Sequence, residues 1–239
     1  MKQLISIILL IPFFTLSQNE WKEVASEDFI RAIQEFENSI VVDESYSMVT
    51  TYKVYQDYSD ATPVQTSSGR LICRNGNELN LYQMGFTIIQ DKEINVTIDT
   101  MNQQIVVQNP DSSFFYRKTI NDVSEFSEMA KKVHKKEFQT KTTYSLELKE
   151  GYPYNSIEIE FEGGNRVSEI IIYSNQPYKT EDQPSNDKAK VVISINEFKK
   201  GKTVNLKNFK TPIEFVLMKD NIFQAVGKYK DFEVIDLRN

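Results

Sequence analysis

His134 is the only histidine and Cys73 the only cysteine among 239 residues, and this scarcity limits the chemistry available. A Ser-His-Asp or Cys-His nucleophile needs a base held by an orienting carboxylate. His134 stands instead in a run of lysines, Lys131-Lys132-Val133-His134-Lys135-Lys136. A zinc site takes several His or Cys ligands, so two such residues in total exclude one. The sequence implies no metal and no cofactor. Gly163-Gly164 is followed by neither spaced glycines nor the lysine of a phosphate-binding loop. Carboxylate pairs are the one catalytic class left open, at Asp57 with Asp60 or among Glu158, Glu160 and Glu162. The glutamates alternate with Ile157, Ile159 and Phe161, which also reads as the solvent face of a strand. Cys73 follows Leu71 and Ile72 in a strand-like segment and reads as a small buried hydrophobe; a lone cysteine forms no intramolecular disulfide.

The N-terminus carries an address. Lys2 precedes an apolar run over residues 4–16, broken by Pro12 and followed by Ser17, Gln18 and Asn19. That order is the secretory pattern, and the run is short of the roughly 20 apolar residues a spanning helix needs. Cleavage after Ser17 leaves a mature chain of residues 18–239, read as a single domain in the periplasm or beyond the cell. Without residues 1–17 and their one lysine, 27 basic side chains face 34 acidic ones, a net charge of −7. An acidic chain of this kind is repelled by a phosphate backbone, which argues against nucleic acid as a partner.

The elements behind these residues are mainly strands. Ser26, Glu27 and Asp28 open a helix whose residues Phe29, Ile33 and Phe36 fall on one apolar stripe. From Tyr46 the period changes to two, placing Tyr46, Met48, Tyr52 and Val54 on one side. A short strand is expected around Val64, a separate one over residues 70–74, and a hairpin at Asn75-Gly76-Asn77 that returns through Leu79 and Leu81. Strands over residues 86–90, 94–98 and 104–108 continue the meander. Phe126, Met129, Ala130 and Val133 then share a helical face, with acids before them and lysines after them, so residues 123–138 read as a second helix whose charges suit its dipole. Strands follow over residues 144–148, 157–161, 167–173, 191–195, 213–217 and 232–237. Residues 176–188, polar and holding Pro177 and Pro184, read as the main loop.

Within residues 46–110, Val64-Gln65, Gly69-Arg70-Leu71, Arg74 with its Asn-containing turn, Leu81-Tyr82 and Ile88-Ile89-Gln90-Asp91-Lys92 resemble, in order, the motifs of the periplasmic lipoprotein-carrier (LolA-like) family. The resemblance implies a curved antiparallel sheet or unclosed β-barrel, lidded by helices, around an apolar cavity that shields acyl chains. It implies a non-enzymatic carrier whose client is a lipid or lipoprotein, with an envelope protein as a further possible partner. Arg74 falls where the family places an arginine that holds the lid closed. On this reading Tyr52, Val54, Leu71, Leu79, Leu81, Ile94 and Val96 line the cavity from the sheet, and Phe29, Ile33, Phe36, Phe126, Met129 and Val133 line it from two helices. The alternative is an envelope interaction scaffold with the same fold and a filled interior.

Overall fold

The computed structural model describes residues 20–39, 44–76, 78–83, 85–110, 129–163, 166–180 and 183–238. Its elements are β1 (Lys22–Val24), α1 (Ser26–Ser39), β2 (Tyr46–Tyr55), β3 (Gln65–Arg74), β4 (Glu78–Gln83), β5 (Phe86–Gln90), β6 (Asn95–Asp99) and β7 (Gln104–Gln108). There follow β8 (Ala130–Phe138), β9 (Lys141–Leu148), β10 (Tyr154–Glu162), β11 (Arg166–Thr180), β12 (Gln183–Lys200), β13 (Val216–Lys219), β14 (Ile222–Ala225) and β15 (Glu233–Asp236). Thirteen strands form one curved sheet in the order β1-β8-β9-β10-β11-β12-β2-β3-β4-β5-β6-β7-β15, open between β1 and β15. Every ladder in it is antiparallel except that of β15 on β7. β13 and β14 form a separate hairpin.

Paired residues share a face and successive residues alternate, so the registers divide the sheet into two faces. Tyr46, Met48, Leu71, Cys73, Tyr144, Leu146 and Phe161 lie on the face that α1 covers with Phe29, Ile33 and Phe36. The opposite face presents Ile89, Val96, Ile98, Ile105 and Val107, buried under Phe215, Val216 and Phe223 of the C-terminal segment. A buried amide fastens that segment. Asn80 Oδ1 accepts from the Lys210 amide at 2.6 Å, while its Nδ2 donates to the Lys210 carbonyl at 2.8 Å and to the Leu79 carbonyl at 2.9 Å.

Three expectations are corrected. Among the described residues there is one α-helix; of the expected second helix, residues 123–128 lie outside the described residues and residues 130–138 are a strand. Val133 is buried between Val24 on β1 and Leu146 on β9, so two neighbouring strands override a helical stripe that is only a local pattern. The lysines therefore do not serve a helix dipole: Lys131 pairs with Glu147, Lys132 with Glu23 and Lys135 with Glu137. Second, β3 runs unbroken from Gln65 through Gly69 to Arg74, so no turn separates the two strands expected around Val64 and over residues 70–74. A Cβ at Gly69 would lie 2.6 Å from Thr50 Oγ1 and 2.9 Å from Tyr52 Cε2, so the glycine marks a close approach across strands and not a turn. Third, the expected loop over residues 176–188 is a two-stranded ribbon. β10 pairs with β11 only as far as Ser174 and β2 pairs with β12 only from Lys190. Beyond those points each strand has only the other as a neighbour, and Pro177 and Pro184 are tolerated where one side of the ladder is unpaired.

The hairpin expected at Asn75-Gly76 is present, both residues having left-handed backbone (φ 52° and 70°). The strands expected over residues 86–90 and 104–108 form with those bounds.

Candidate functional site

The residues expected to line one cavity fall into three groups. Phe29, Phe36 and Val133 are buried in the cluster beneath α1, with Ile33, Leu71 and Met129 packed against it. Val133 belongs to the sheet, so it forms no second lid, and Phe126 lies outside the described residues. Ile94 and Val96 belong to the other face: Val96 is fully buried among Ile89, Val107 and the C-terminal segment, and Ile94 packs against the same cluster. The physical reason is that β6 alternates cleanly, with Val96 and Ile98 on one face and Asn95, Thr97 and Asp99 on the other, and alternation shows which residues share a face but not which side of the sheet α1 occupies.

Tyr52, Val54 and Leu81 form the third group. They share the α1-bearing face with Ile193, Val191 and Ile172, since Tyr52 pairs with Ile193, Val54 with Val191, and Ile172 with Val191. All six are half-buried and lie outside both packed clusters. Leu79, on the same face, is fully buried. Ser67, opposite Tyr52, has a buried Oγ with no hydrogen-bond partner among the described residues. The apolar surface thus continues past the α1 cluster as a partly open floor with a single unpartnered hydroxyl. Ile172, Val191 and Ile193 are absent from the sequence-based set because Ile171 and Val192 beside them are equally apolar and blur the alternation.

Arg74 does not hold α1. Its Nε bonds the Glu78 carboxylate and its guanidinium lies 4.3 Å from the Phe209 ring centroid, which places it on the opposite face, against the C-terminal segment.

The candidate catalytic groups are occupied otherwise. Asp57 accepts from Ser59 N at 2.9 Å and Ser59 Oγ at 2.6 Å, and Asp60 accepts from Asp57 N at 2.9 Å; the two acids build the turn after β2. Glu160 accepts from Lys141 Nζ at 2.7 Å and Ser168 Oγ at 2.8 Å, and Glu162 pairs with Arg166. His134 sits in a strand opposite Ser145 and Glu23, not at a helix end. Burial pushes the Cys73 thiol up to about 11, so it stays a protonated core residue. No group of three or more His, Cys, Asp or Glu among the described residues is placed to hold a metal. A cleft of about 250 Å³ between α1 and β8–β9 is edged by Asp28, Arg31, Glu35 and Lys135, a charged rim unsuited to an acyl chain.

Glu158 departs from the expected wet face. Burial raises its carboxyl above the ordinary value of 4.5, against smaller opposing contributions from Lys136 and from a hydrogen bond with Tyr173. A carboxyl raised by folding stabilises the fold while protonated in both states, and this contribution is lost as pH rises from 4.5 through the raised value. Glu158→Gln is therefore expected to gain stability relative to the parent as pH is raised from 4.5 to 7. Thermal unfolding at several pH values checks this, and a pH-independent difference would contradict it.

No protein-family model matches the chain, and no curated protein matches it in sequence. The fold is similar to that of a conserved protein of Thermus thermophilus, with 8% identity over 89% of this chain and 99% of the other at a TM-score of 0.45. It is similar to a LolA superfamily protein of Nitrosomonas europaea, with 10% identity over 80% and 99% of the two chains and a TM-score of 0.33. A DUF1329 family protein of Desulfovibrio piger is similar at 10% identity over 77% and 97%, with a TM-score of 0.34. No helix among the described residues is long and apolar enough to cross a membrane.

Proposed function

We propose that this is an exported, non-enzymatic carrier or binder of a lipid or lipoprotein acyl chain, released by cleavage near Ser17 into the periplasm or beyond as one domain. The observation that carries this reading is the half-covered apolar floor of Tyr52, Val54, Leu81, Ile172, Val191 and Ile193, continuous with the α1 cluster. An acyl chain laid on it transfers about 0.8 kcal/mol per CH₂ from water, and Ser67 Oγ supplies one of the few polar anchors such sites use.

A fluorescent fatty acid is expected to bind the mature protein saturably. Ile193→Trp is expected to weaken that binding with little loss of stability, because the new ring extends over an open floor. Val96→Trp has the opposite signature: it overpacks a filled layer, costs about 1–3 kcal/mol and leaves the affinity of the folded fraction unchanged. Absence of saturable binding by the folded parent would overturn the carrier reading and leave the interaction scaffold.

A further inference from the structure

The C-terminal segment does more than cover the sheet. Residues 201–230 hold six lysines, at 202, 207, 210, 219, 228 and 230, against Glu214 and Asp220. The remainder of the chain has 22 basic and 32 acidic side chains, so this segment is a positive region on a negative protein. All six lysines are exposed.

The same segment displays large aliphatic side chains. Asp220 and Asn221, at φ 53° and 63°, form the tight turn of the β13–β14 hairpin. Val216 and Phe223 point into the sheet and are buried among Ile89, Val96 and Ile98. The register puts Leu217, Lys219, Ile222 and Gln224 on the other side of the hairpin. Leu217 is 51% exposed, Ile222 64% and Met218, near the tip, 51%; Ile213, on the turn leading into β13, is 66% exposed. Four exposed aliphatics within ten residues are not the scatter of single apolar residues normal on a soluble surface. Their base is firmly seated, through the buried Phe215, Val216 and Phe223 and through the two hydrogen bonds between the Asn80 side chain and the Lys210 backbone.

We propose that the β13–β14 hairpin is a docking element for an anionic lipid bilayer surface. Leu217 and Ile222, on the outer side of the hairpin, enter the boundary between headgroups and acyl chains with Met218 near the tip, and the exposed lysines of the segment, Lys219 beside them and Lys228, meet lipid phosphates. Exposed apolar residues and exposed lysines in one segment are the combination that interfacial binding requires. A membrane accounts for both features together, whereas an acidic protein partner would account for the lysines alone. Lys210 retains its bond to Glu214 at 2.6 Å, and Asp220 at the turn opposes the attraction in part. The proposal does not depend on whether an acyl chain is carried, since the floor described above lies on the other face of the sheet.

The test is sedimentation of the mature protein with vesicles, either mixed phosphatidylglycerol and phosphatidylethanolamine or phosphatidylcholine alone. Binding is expected to the anionic vesicles, to weaken in 0.5 M salt, and to be far weaker on phosphatidylcholine. Leu217→Ser with Ile222→Ser is expected to lower the partition coefficient about tenfold with an unchanged thermal midpoint, because both side chains are exposed. Lys219→Gln and Lys228→Gln are each expected to lower it about fivefold, the equivalent of about 1 kcal/mol per lysine near such a surface. Failure of the folded parent to bind anionic vesicles would overturn the proposal. So would binding indifferent to the serine pair, or a salt-sensitive complex with an acidic protein that the serine pair leaves intact. A concentration-dependent dimer that the serine pair abolishes, without vesicle binding, would overturn it in favour of self-association.

Discussion

Phe161→Ala is expected to cost the fold about 3–5 kcal/mol, the range for deleting a buried aromatic ring. Phe161 is 1% exposed on β10. Its ring meets Tyr144 edge-on at 5.9 Å, and Tyr144 in turn meets Phe29 of α1 edge-on at 5.7 Å. These three rings join the central sheet to the helix, so the truncation removes apolar burial, one of the two aromatic contacts and support for α1 at the same time. Urea denaturation of parent and variant measures the loss, and a value below about 1.5 kcal/mol would mean that the neighbouring side chains close the cavity. Glu160→Lys at the preceding position is the control. It forfeits the pair with Lys141 and the hydrogen bond from Ser168 Oγ, but replaces like-charge repulsion with Glu169, directly across the ladder, by attraction, so a change within about 1 kcal/mol is expected.

That contrast was readable from the sequence, because Ile157, Ile159 and Phe161 alternate strictly with glutamates and period two fixes their face. Its depth was not. Ile157 and Ile159 are half-buried where Phe161 is fully buried, and Glu158 is drawn partly out of water by its neighbours, differences set by distant chain. The hairpin at Asn75-Gly76 and the bounds of the strands over residues 86–90 and 104–108 were equally legible, since left-handed turn residues and short apolar runs are local signals. The strand at residues 130–138 was not, because lysines and a four-residue apolar stripe satisfy helix and strand patterns alike until β1 and β9 are known to flank it.

The candidate site was legible in part for the same reason. Tyr52, Val54 and Leu81 came from strands with one apolar face and fell on the half-covered floor. Val96 came from a strand that also has one apolar face, and Ile94 from the turn before it, but the side of the sheet that α1 takes is decided by packing. Arg74 and the exposed hairpin were beyond reach of local pattern, since their surroundings depend on how the chain after residue 200 returns across β3–β7.

That return depends heavily on one side chain, and Asn80→Asp is expected to expose the dependence. Asn80 is fully buried on the face beneath the C-terminal segment. Its Oδ1 accepts the Lys210 amide proton, and its Nδ2 hydrogens satisfy the carbonyls of Leu79 and Lys210. An aspartate keeps the acceptor but aims a second carboxylate oxygen at two carbonyls, which no ionised group can satisfy. The Lys210 carbonyl left without its donor costs about 1–3 kcal/mol, and the buried charge set against two carbonyls adds to that, so a loss of at least about 3 kcal/mol is expected at pH 7. The introduced carboxyl is raised in the folded state, so folding takes up protons and the deficit shrinks as pH falls towards the ordinary aspartate value of about 3.9, where the protonated group again donates one hydrogen bond. Asn80→Ala lacks this titration and carries a deficit that varies little with pH. Hydrogen exchange supplies the local readout: in both variants the Lys210 amide and the β13–β14 ladder are expected to exchange faster while β8–β10 keep their protection relative to global unfolding. Equal pH dependence of the two variants, or protection at Lys210 that survives the substitution, would show that the segment is held by Phe215, Val216 and Phe223 alone.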